Sequence, residues 1–220
     1  YVTLDEDTSH PQLILWACGK TVRHGDTRQA MTDNPERYDT YDYVLGREGF
    51  VSGRYFWEVD VGMEERGVWA MWMAKESMKR KGWINPAPQD RILALLHCRG
   101  KYWALTSPDH TPLILTQLPR RVRVYLDFEE QMVAFFNTDN QDLLFTFPLA
   151  LLSGQRIRPW FCMGPITQLH LKSPPSPPCV PNVEQPLVPS CFPLQSLPHA
   201  YQRAGHNQDV EIHAAVHNQT

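Results

Sequence analysis

No run of apolar residues approaches the ~20 needed for a helix to cross a bilayer, so the 220 residues contain no helical membrane span. Basic excess is also lacking. Lysine and arginine total 21 against 24 aspartates and glutamates, for a formal net charge of -3 and an isoelectric point near 6.3. That balance argues against a nucleic-acid binder, which needs a basic patch or stripe to meet phosphates. Cysteine is sparse and odd in number: Cys18, Cys98, Cys162, Cys179 and Cys191, with no CxxC pair. A zinc site or a thioredoxin-like motif is thereby excluded, and the spacing suits reduced thiols of a cytosolic compartment better than a disulfide framework. The chain opens at Tyr1 without a methionine or a charged-then-apolar leader. No signal peptide is expected, and the chain reads as a piece of a longer protein.

Catalytic signatures are missing too. There is no Gly-rich phosphate loop, since Gly46 and Gly53 stand singly and suit turns. There is no GxSxG elbow, because Ser52-Gly53 leads into a strand pattern and not a helix. His10, His24, His97, His110 and His170 form no HExxH and no close cluster in sequence. Asp5-Glu6-Asp7 and Glu64-Glu65 are adjacent carboxylates. Neighbours on a strand point to opposite faces, so adjacency does not build an acid–base pair. No enzyme activity, cofactor or metal is expected.

Composition changes at Ser173. The last 48 residues hold nine of the 19 prolines, no lysine and none of the seven tryptophans, and the run SPPSPPCVP from Ser173 cannot form a hydrogen-bonded ladder. Too few large apolar side chains remain to offset ordering entropy, so 173–220 is expected to be a disordered Pro-rich tail. Its histidines, His199, His206, His213 and His217, are expected to be solvated.

Residues 1–172 carry the core. Short apolar or alternating segments recur at 13–16, 43–45, 55–61, 68–73, 92–97, 102–105, 113–115, 122–128, 132–136, 143–147, 157–163 and 167–171. In YFWEVDV from Tyr55, apolar residues alternate with Glu58 and Asp60, and in RVRVYLD from Arg121 the valines alternate with arginines. Asp33-Asn34-Pro35, Arg99-Gly100, Ser107-Pro108-Asp109 and Thr138-Asp139-Asn140 supply turns. No helical periodicity lasts about ten residues; the charged run 75–81 reads as a loop, and no constant repeat is present. Strands at roughly 8–12-residue intervals predict an all-β, two-layer antiparallel sandwich.

Several of these segments resemble a known family. Val2-Thr3-Leu4-Asp5 with Thr8-Ser9-His10-Pro11, Asp33-Asn34-Pro35-Glu36-Arg37-Tyr38-Asp39 and Val44-Leu45-Gly46-Arg47-Glu48 resemble the PRY motifs VTLDPDTAHP, DNPERFD and VLGRE. Phe50-Val51-Ser52-Gly53-Arg54-Tyr55-Phe56-Trp57-Glu58-Val59 is similar to the SPRY opening FxSGRHYWEV, and Leu126-Asp127-Phe128-Glu129 and Ile157-Arg158-Pro159-Trp160-Phe161 to LDYE and LRPFF. The likeness divides the body into a PRY segment, 1–50, and a SPRY segment, 51–172, together one globular domain. It implies a SPRY sandwich of the concanavalin-like jelly-roll kind whose loops form a recognition surface. In that fold Trp57 and Val59 belong to the core, Asn34 and Pro35 to a turn, and Arg54 and Glu58 are expected to pair on one sheet face.

Within the family the chain most resembles the butyrophilins, in Lys81-Gly82-Trp83 and Tyr102-Trp103-Ala104-Leu105-Thr106. That likeness implies a cytosolic interaction or ligand-sensing module of a type I receptor at the plasma membrane, with immunoglobulin-like domains outside and roles in T-cell and immune regulation. The alternative is the substrate-recognition end of a tripartite-motif ubiquitin ligase in the cytoplasm; a secreted venom-type domain is disfavoured by the odd cysteines and the tail. The expected partner is an intracellular protein or peptide, and a homodimer is compatible with the resemblance. The expected binding surface comprises Tyr41, Asp42, Tyr43, Trp83, Asn85, Arg99, Lys101, Trp103 and Asp109. One butyrophilin branch binds phosphorylated isoprenoids in a basic pocket. Here Tyr41, Asn85, Trp103 and Asp109 replace its basic residues and only Trp83 is retained, which argues against phosphoantigen binding. Trp72, Arg123 and Gln131 stand where the family has glycine, and the Asp90-Arg91-Ile92-Leu93 stretch departs from NGFW. Loop geometry is expected to be rearranged at these points.

Overall fold

The computed structural model describes residues 1–62, 66–83, 94–106, 109–152 and 154–172. The expectation for the 173–220 tail, Asn85 and the 90–93 departure lie outside the described residues. In chain order the strands are β1 (Leu13–Trp16), β2 (Thr21–His24), β3 (Tyr43–Leu45), β4 (Arg54–Asp60), β5 (Val68–Lys75), β6 (Ala94–Cys98) and β7 (Lys101–Leu105). Then come β8 (Thr111–Leu113), β9 (Arg121–Asp127), β10 (Met132–Asn137), β11 (Leu143–Pro148), β12 (Ile157–Met163) and β13 (Gln168–Lys172). They form a seven-stranded sheet, β1-β2-β13-β4-β9-β10-β11, and a six-stranded sheet, β3-β12-β5-β6-β7-β8. These strands all pair antiparallel, and a 3-10 turn at Leu149–Leu152 is the only helical element among the described residues. The two-layer sandwich expected from strand spacing is the observed architecture.

The alternation in β4 and β9 does what its period dictates. Trp57, Val59, Val122, Val124 and Leu126 are buried, each such burial contributing about 1.5–3 kcal/mol. On the opposite face the polar residues form a ladder, because the register sets Glu58 beside Arg123 and Asp60 beside Arg121. Arg123 reaches Glu58 at 2.7 Å, Arg121 reaches Asp60 at 2.6 Å, and Lys172 of β13 reaches Asp60 at 2.7 Å. The expected Arg54–Glu58 pair is corrected here. Four residues along a strand span roughly 13 Å, and Arg54 instead meets its cross-strand partner Asp127 at 3.1 Å and Glu129 in the turn beyond.

The six-stranded sheet is different. Seven of eight positions of β5 and all seven of β12 are buried, so both faces are covered and alternation vanishes. One cover is the other sheet, and the second is the connecting segments, which therefore pack against β-structure and do not hang in solvent. β2 escaped the sequence pattern because Thr21-Val22-Arg23-His24 offers only one large apolar side chain.

Trp72, Arg123 and Gln131, where rearranged geometry is expected, each find a local solution. Trp72 is buried and packs edge-on against Phe147 at 4.8 Å and over Phe135 at 6.3 Å, both on the facing sheet. Arg123 projects to the charged face. Gln131 accepts a left-handed φ of 53°; Asp127 Oδ1 takes the Glu129 and Glu130 amides of that turn at 2.8 and 2.9 Å, and the Gln131 side chain donates to the Phe128 carbonyl. These bonds hold a conformation that ordinarily costs a side-chain-bearing residue about 1–2 kcal/mol. The Asn34 turn closes as expected, with Asn34 Oδ1 accepting from the Glu36 and Arg37 amides at 2.8 and 2.9 Å.

If Trp72 fills the space between the sheets, Trp72→Ala will lower unfolding free energy by about 3–5 kcal/mol in urea titration. A loss below about 1 kcal/mol would place the indole outside the core.

Candidate partner-binding face

A chain of aromatic contacts runs from the core to the surface. Trp160 of β12 is buried and meets Tyr43 of β3 edge-on at 4.6 Å. Tyr43, fully buried, stacks on Tyr41 at 5.1 Å with rings 14° from parallel. Tyr41, 7% exposed, meets Trp83 edge-on at 6.0 Å, and Trp83 is 70% exposed. Such offset and edge-to-face pairs add about 0.5–1.5 kcal/mol each beyond burial. The indole of Trp83 is thus presented to solvent from a rigid footing, which lowers the ordering cost of binding through it.

The 76–83 segment that carries Trp83 comes directly after β5 and is held by buried charge. Arg80 is only 7% exposed. Its guanidinium donates to the carbonyls of Met78 and Glu76 at 2.5 and 3.0 Å and to the Tyr38 hydroxyl at 3.4 Å, and it lies over the Tyr38 ring. Gly82, with φ at +67°, donates its amide to Asp39 Oδ1 at 2.8 Å, and Lys79 Nζ reaches the Trp83 carbonyl at 3.0 Å. Partial burial pushes the Asp39 carboxyl up, but the Gly82 amide, the Thr40 hydroxyl and Lys81 outweigh it and hold the acid below its ordinary range. Beside this segment opens a cleft of about 340 Å³, lined by Arg28, Met31, Arg37, Tyr38 and Asp39 among others.

Asp42, next to Tyr41, anchors the other side. Its carboxylate meets His10 Nδ1 at 2.8 Å and His24 Nε2 at 3.1 Å. Burial raises the acid, yet the two imidazoles more than compensate and bring Asp42 down to about 2. Positions 10, 24 and 42 come from three separate segments, so no spacing rule pointed to this grouping. Arg80 and Asp39 were likewise invisible, because a basic residue in a charged run reads as solvated until its carbonyl acceptors are known. Among the described residues no grouping of His, Cys, Asp and Glu, this one included, has the arrangement to hold a metal ion.

The surface expected from sequence is only partly assembled. Tyr41, Asp42, Tyr43 and Trp83 come together, but Tyr41 and Tyr43 are corrected from contact residues to buried supports. Trp103 is corrected in the same way: at 9% exposure it packs within β7. Arg99 and Lys101 are exposed in the β6–β7 hairpin, three and four strands across from β3, so Lys101 lies on the order of 19 Å away at ~4.8 Å per strand. Asp109 is exposed near the start of β8, at the opposite end of β7 from Lys101.

Comparison with known proteins agrees with this fold. The chain matches the SPRY-associated domain, PRY, over residues 2–50 and the SPRY domain over residues 54–173. It belongs to the PRY–SPRY family. Butyrophilin subfamily 1 member A1 of Mus musculus is 44% identical over 162 residues, 74% of this chain and 30% of the butyrophilin. The E3 ubiquitin-protein ligase TRIM58 of Mus musculus is 36% identical over 170 residues, 77% of this chain and 34% of the ligase. The crystal structure of the TRIM65 PSpry domain superposes with a TM-score of 0.65 at 18% identity, covering 79% of this chain and 90% of that domain. The chain spans about a third of the length of the curated relatives it matches. PRY–SPRY domains are protein-interaction modules, generally without catalysis of their own.

Acid should loosen the PRY–SPRY fold in two windows. Burial lowers His97, packed on Trp69 and Tyr102, from 6.5 to about 4; below 6.5 the unfolded chain binds the proton more readily, so stability falls as pH drops from about 6.5 towards 4. Asp42, lowered to about 2 from 3.8, favours the fold above 3.8, and that contribution disappears as pH falls from 3.8 towards 2. Urea midpoints against pH should show both declines, with Asp42→Asn flattening the lower and His97→Phe the upper. An unchanged lower limb in Asp42→Asn would refute the role given to the two imidazoles.

Proposed function

We propose that this domain is the cytosolic interaction module of a butyrophilin-like, membrane-spanning receptor, that it works without catalysis at the inner face of the plasma membrane, and that it serves immune regulation. Its partner is an intracellular protein or peptide, bound across Trp83 and the Tyr41–Asp42 corner. The observation that carries the reading is Trp83, a mostly exposed indole fixed from below by Tyr41, Tyr43 and Trp160. A large aromatic held rigidly at a loop surface is the usual form of an interface hot spot. The likeness to butyrophilin supports the receptor context. The likeness to a ubiquitin ligase supports a second reading, substrate recruitment in the cytoplasm, and both readings use the same face.

Phosphoantigen is not the ligand in this proposal. Asp39 and Asp42 flank Trp83 and Tyr41, and both are held in the charged form. A pyrophosphate brought here would meet two carboxylates where it needs donors.

Affinity capture from cell lysate should retain one protein set on the wild-type domain and lose it with Trp83→Ala, by about thirtyfold or more in affinity for a hot spot of ~2 kcal/mol. The melting temperature should stay unchanged, because the indole is exposed. Equal retention by Trp83→Ala would remove this face from the proposal. Calorimetric titration with isoprenoid pyrophosphate should give no heat of binding; micromolar binding abolished by Trp83→Ala would reverse the ligand assignment.

A further inference from the structure

The cleft beside Trp83 holds positive charge that no acid among the described residues answers. Arg28, Arg37, Asp33 and Asp39 share its lining, with Ala30 and Met31 as apolar wall. Asp33 is taken by the Lys81 ammonium at 2.5 Å. Asp39 Oδ1 accepts from the Gly82 amide at 2.8 Å and the Thr40 hydroxyl at 2.9 Å. Arg28, Arg37 and Lys81 set against Asp33 and Asp39 give three positive charges and two negative, an excess of one.

Neither arginine of the cleft is paired. Arg37 is only 6% exposed. Its Nε donates to the Thr32 carbonyl at 3.0 Å and its Nη1 to the Glu6 and Ser9 carbonyls, both at 2.7 Å. Carbonyls satisfy those donors and leave the charge uncancelled. Nη2 has no hydrogen-bond partner among the described residues, yet it is not sealed from solvent. Arg28 is exposed, and Nη1 lies 3.4 Å from His10 Nε2. An imidazole brings no negative charge there, and Asp42 sits on the far side of that ring, at Nδ1. A guanidinium presents a flat fork of donors that matches a carboxylate in shape as well as in charge.

Magnitude selects among anions. A phosphate monoester carries about −1.5 to −2 at neutral pH, which overshoots an excess of one and sets the surplus against Asp33 and Asp39. A carboxylate carries a single charge. The cleft, about 340 Å³, falls at the small end of ligand sites and suits one side chain with its backbone. It also adjoins the indole, since Asp39 of the cleft accepts from Gly82, the residue before Trp83. We propose that the partner bound at the Trp83 face anchors itself in this cleft through one aspartate or glutamate, whose carboxylate takes donors from Arg28 and from Arg37 Nη2 while a neighbouring apolar residue covers the Trp83 indole. The inference rests on Trp83 being the binding face, and it adds the chemical class of the partner: an acidic peptide segment.

A phage-displayed library of random peptides, panned on the full 220-residue chain, is the probe. The selected peptides should share one aspartate or glutamate beside an apolar residue. For a synthetic peptide of that set, Arg28→Glu should weaken binding about tenfold to a hundredfold in fluorescence anisotropy, the loss expected of a charge-assisted contact. Exchanging the peptide's acid for lysine should restore affinity to the Arg28→Glu domain. Arg28 is exposed, so the melting temperature should not move; Arg37 stays in place because its carbonyl contacts hold the PRY segment together. Peptides that lose binding with Trp83→Ala but bind Arg28→Glu as tightly as wild type would overturn this inference and leave the Trp83 face standing. Peptides sensitive to Arg28→Glu and indifferent to Trp83→Ala would support the acid anchor and remove the indole from the site. A selection with no shared acid, an empty selection, or tighter binding when phosphoserine replaces the acid would each overturn the carboxylate anchor.

Discussion

Edge-on packing of Tyr43 against Trp160 is the contact on which the proposed binding face rests. β3 is only three residues long and sits at an edge of the six-stranded sheet, paired to β12 alone. Its three ladder positions are supplemented on the other edge by the 5–10 segment, whose Asp5 and His10 amides donate to the Leu45 and Tyr43 carbonyls and whose Thr8 hydroxyl accepts from the Leu45 amide. The two buried rings supply what the short ladder cannot, because dispersion and burial act over the whole ring area and do not depend on strand length. Tyr41 stacks on that base, and Trp83 rests on Tyr41.

The two sheets divide labour by the way they are covered. The seven-stranded sheet buries one face and leaves the other to a ladder of ion pairs, each of modest value singly because half-exposed charges are screened. Those pairs fix register more than they add stability, since a slip by one residue would set Glu58 and Asp60 against apolar neighbours. The six-stranded sheet is buried on both faces. Its second cover is made of connecting segments, whose backbone polar groups must all find partners away from water. Arg80 meets part of this demand: two carbonyls and a hydroxyl accept from its terminal nitrogens, an aromatic ring lies beneath it, and its Nε, without a hydrogen bond, faces the Glu36 carboxylate at 3.6 Å. Burying a charge is costly unless its donors are satisfied. A loop held this way is ordered for the same reason that its arginine is buried.

Trp72, Arg123 and Gln131 show how a sandwich accommodates large side chains between its sheets, on its outer face and in a tight turn. Trp72 fills space between the sheets, Arg123 extends the charged ladder, and Gln131 takes a left-handed turn whose amides are already claimed by Asp127. Stacked sheets meet through side chains and not through backbone ladders, so none of the three disturbs a hydrogen-bonded pairing. Side-chain volume between sheets and turn geometry at their ends are the parts of this architecture with freedom to vary.

Strand periodicity, turn residues and the order of motifs are local properties, and they were legible: Tyr55 to Val61 and Arg121 to Asp127 alternate because each buries one face against a core, and that periodicity survives in one dimension. Family membership was legible for the same reason, as several short motifs in order. The surface was not. Tyr41, Tyr43, Trp83 and Trp103 look alike in sequence, yet Trp83 alone of the four reaches solvent, and which aromatic does so depends on what lies over it. The meeting of His10, His24 and Asp42 and the burial of Arg80 arise from pairings between segments tens of residues apart. Such pairings belong to the packed chain, because they are set by how two layers and their connections close on each other, and no single segment carries that information.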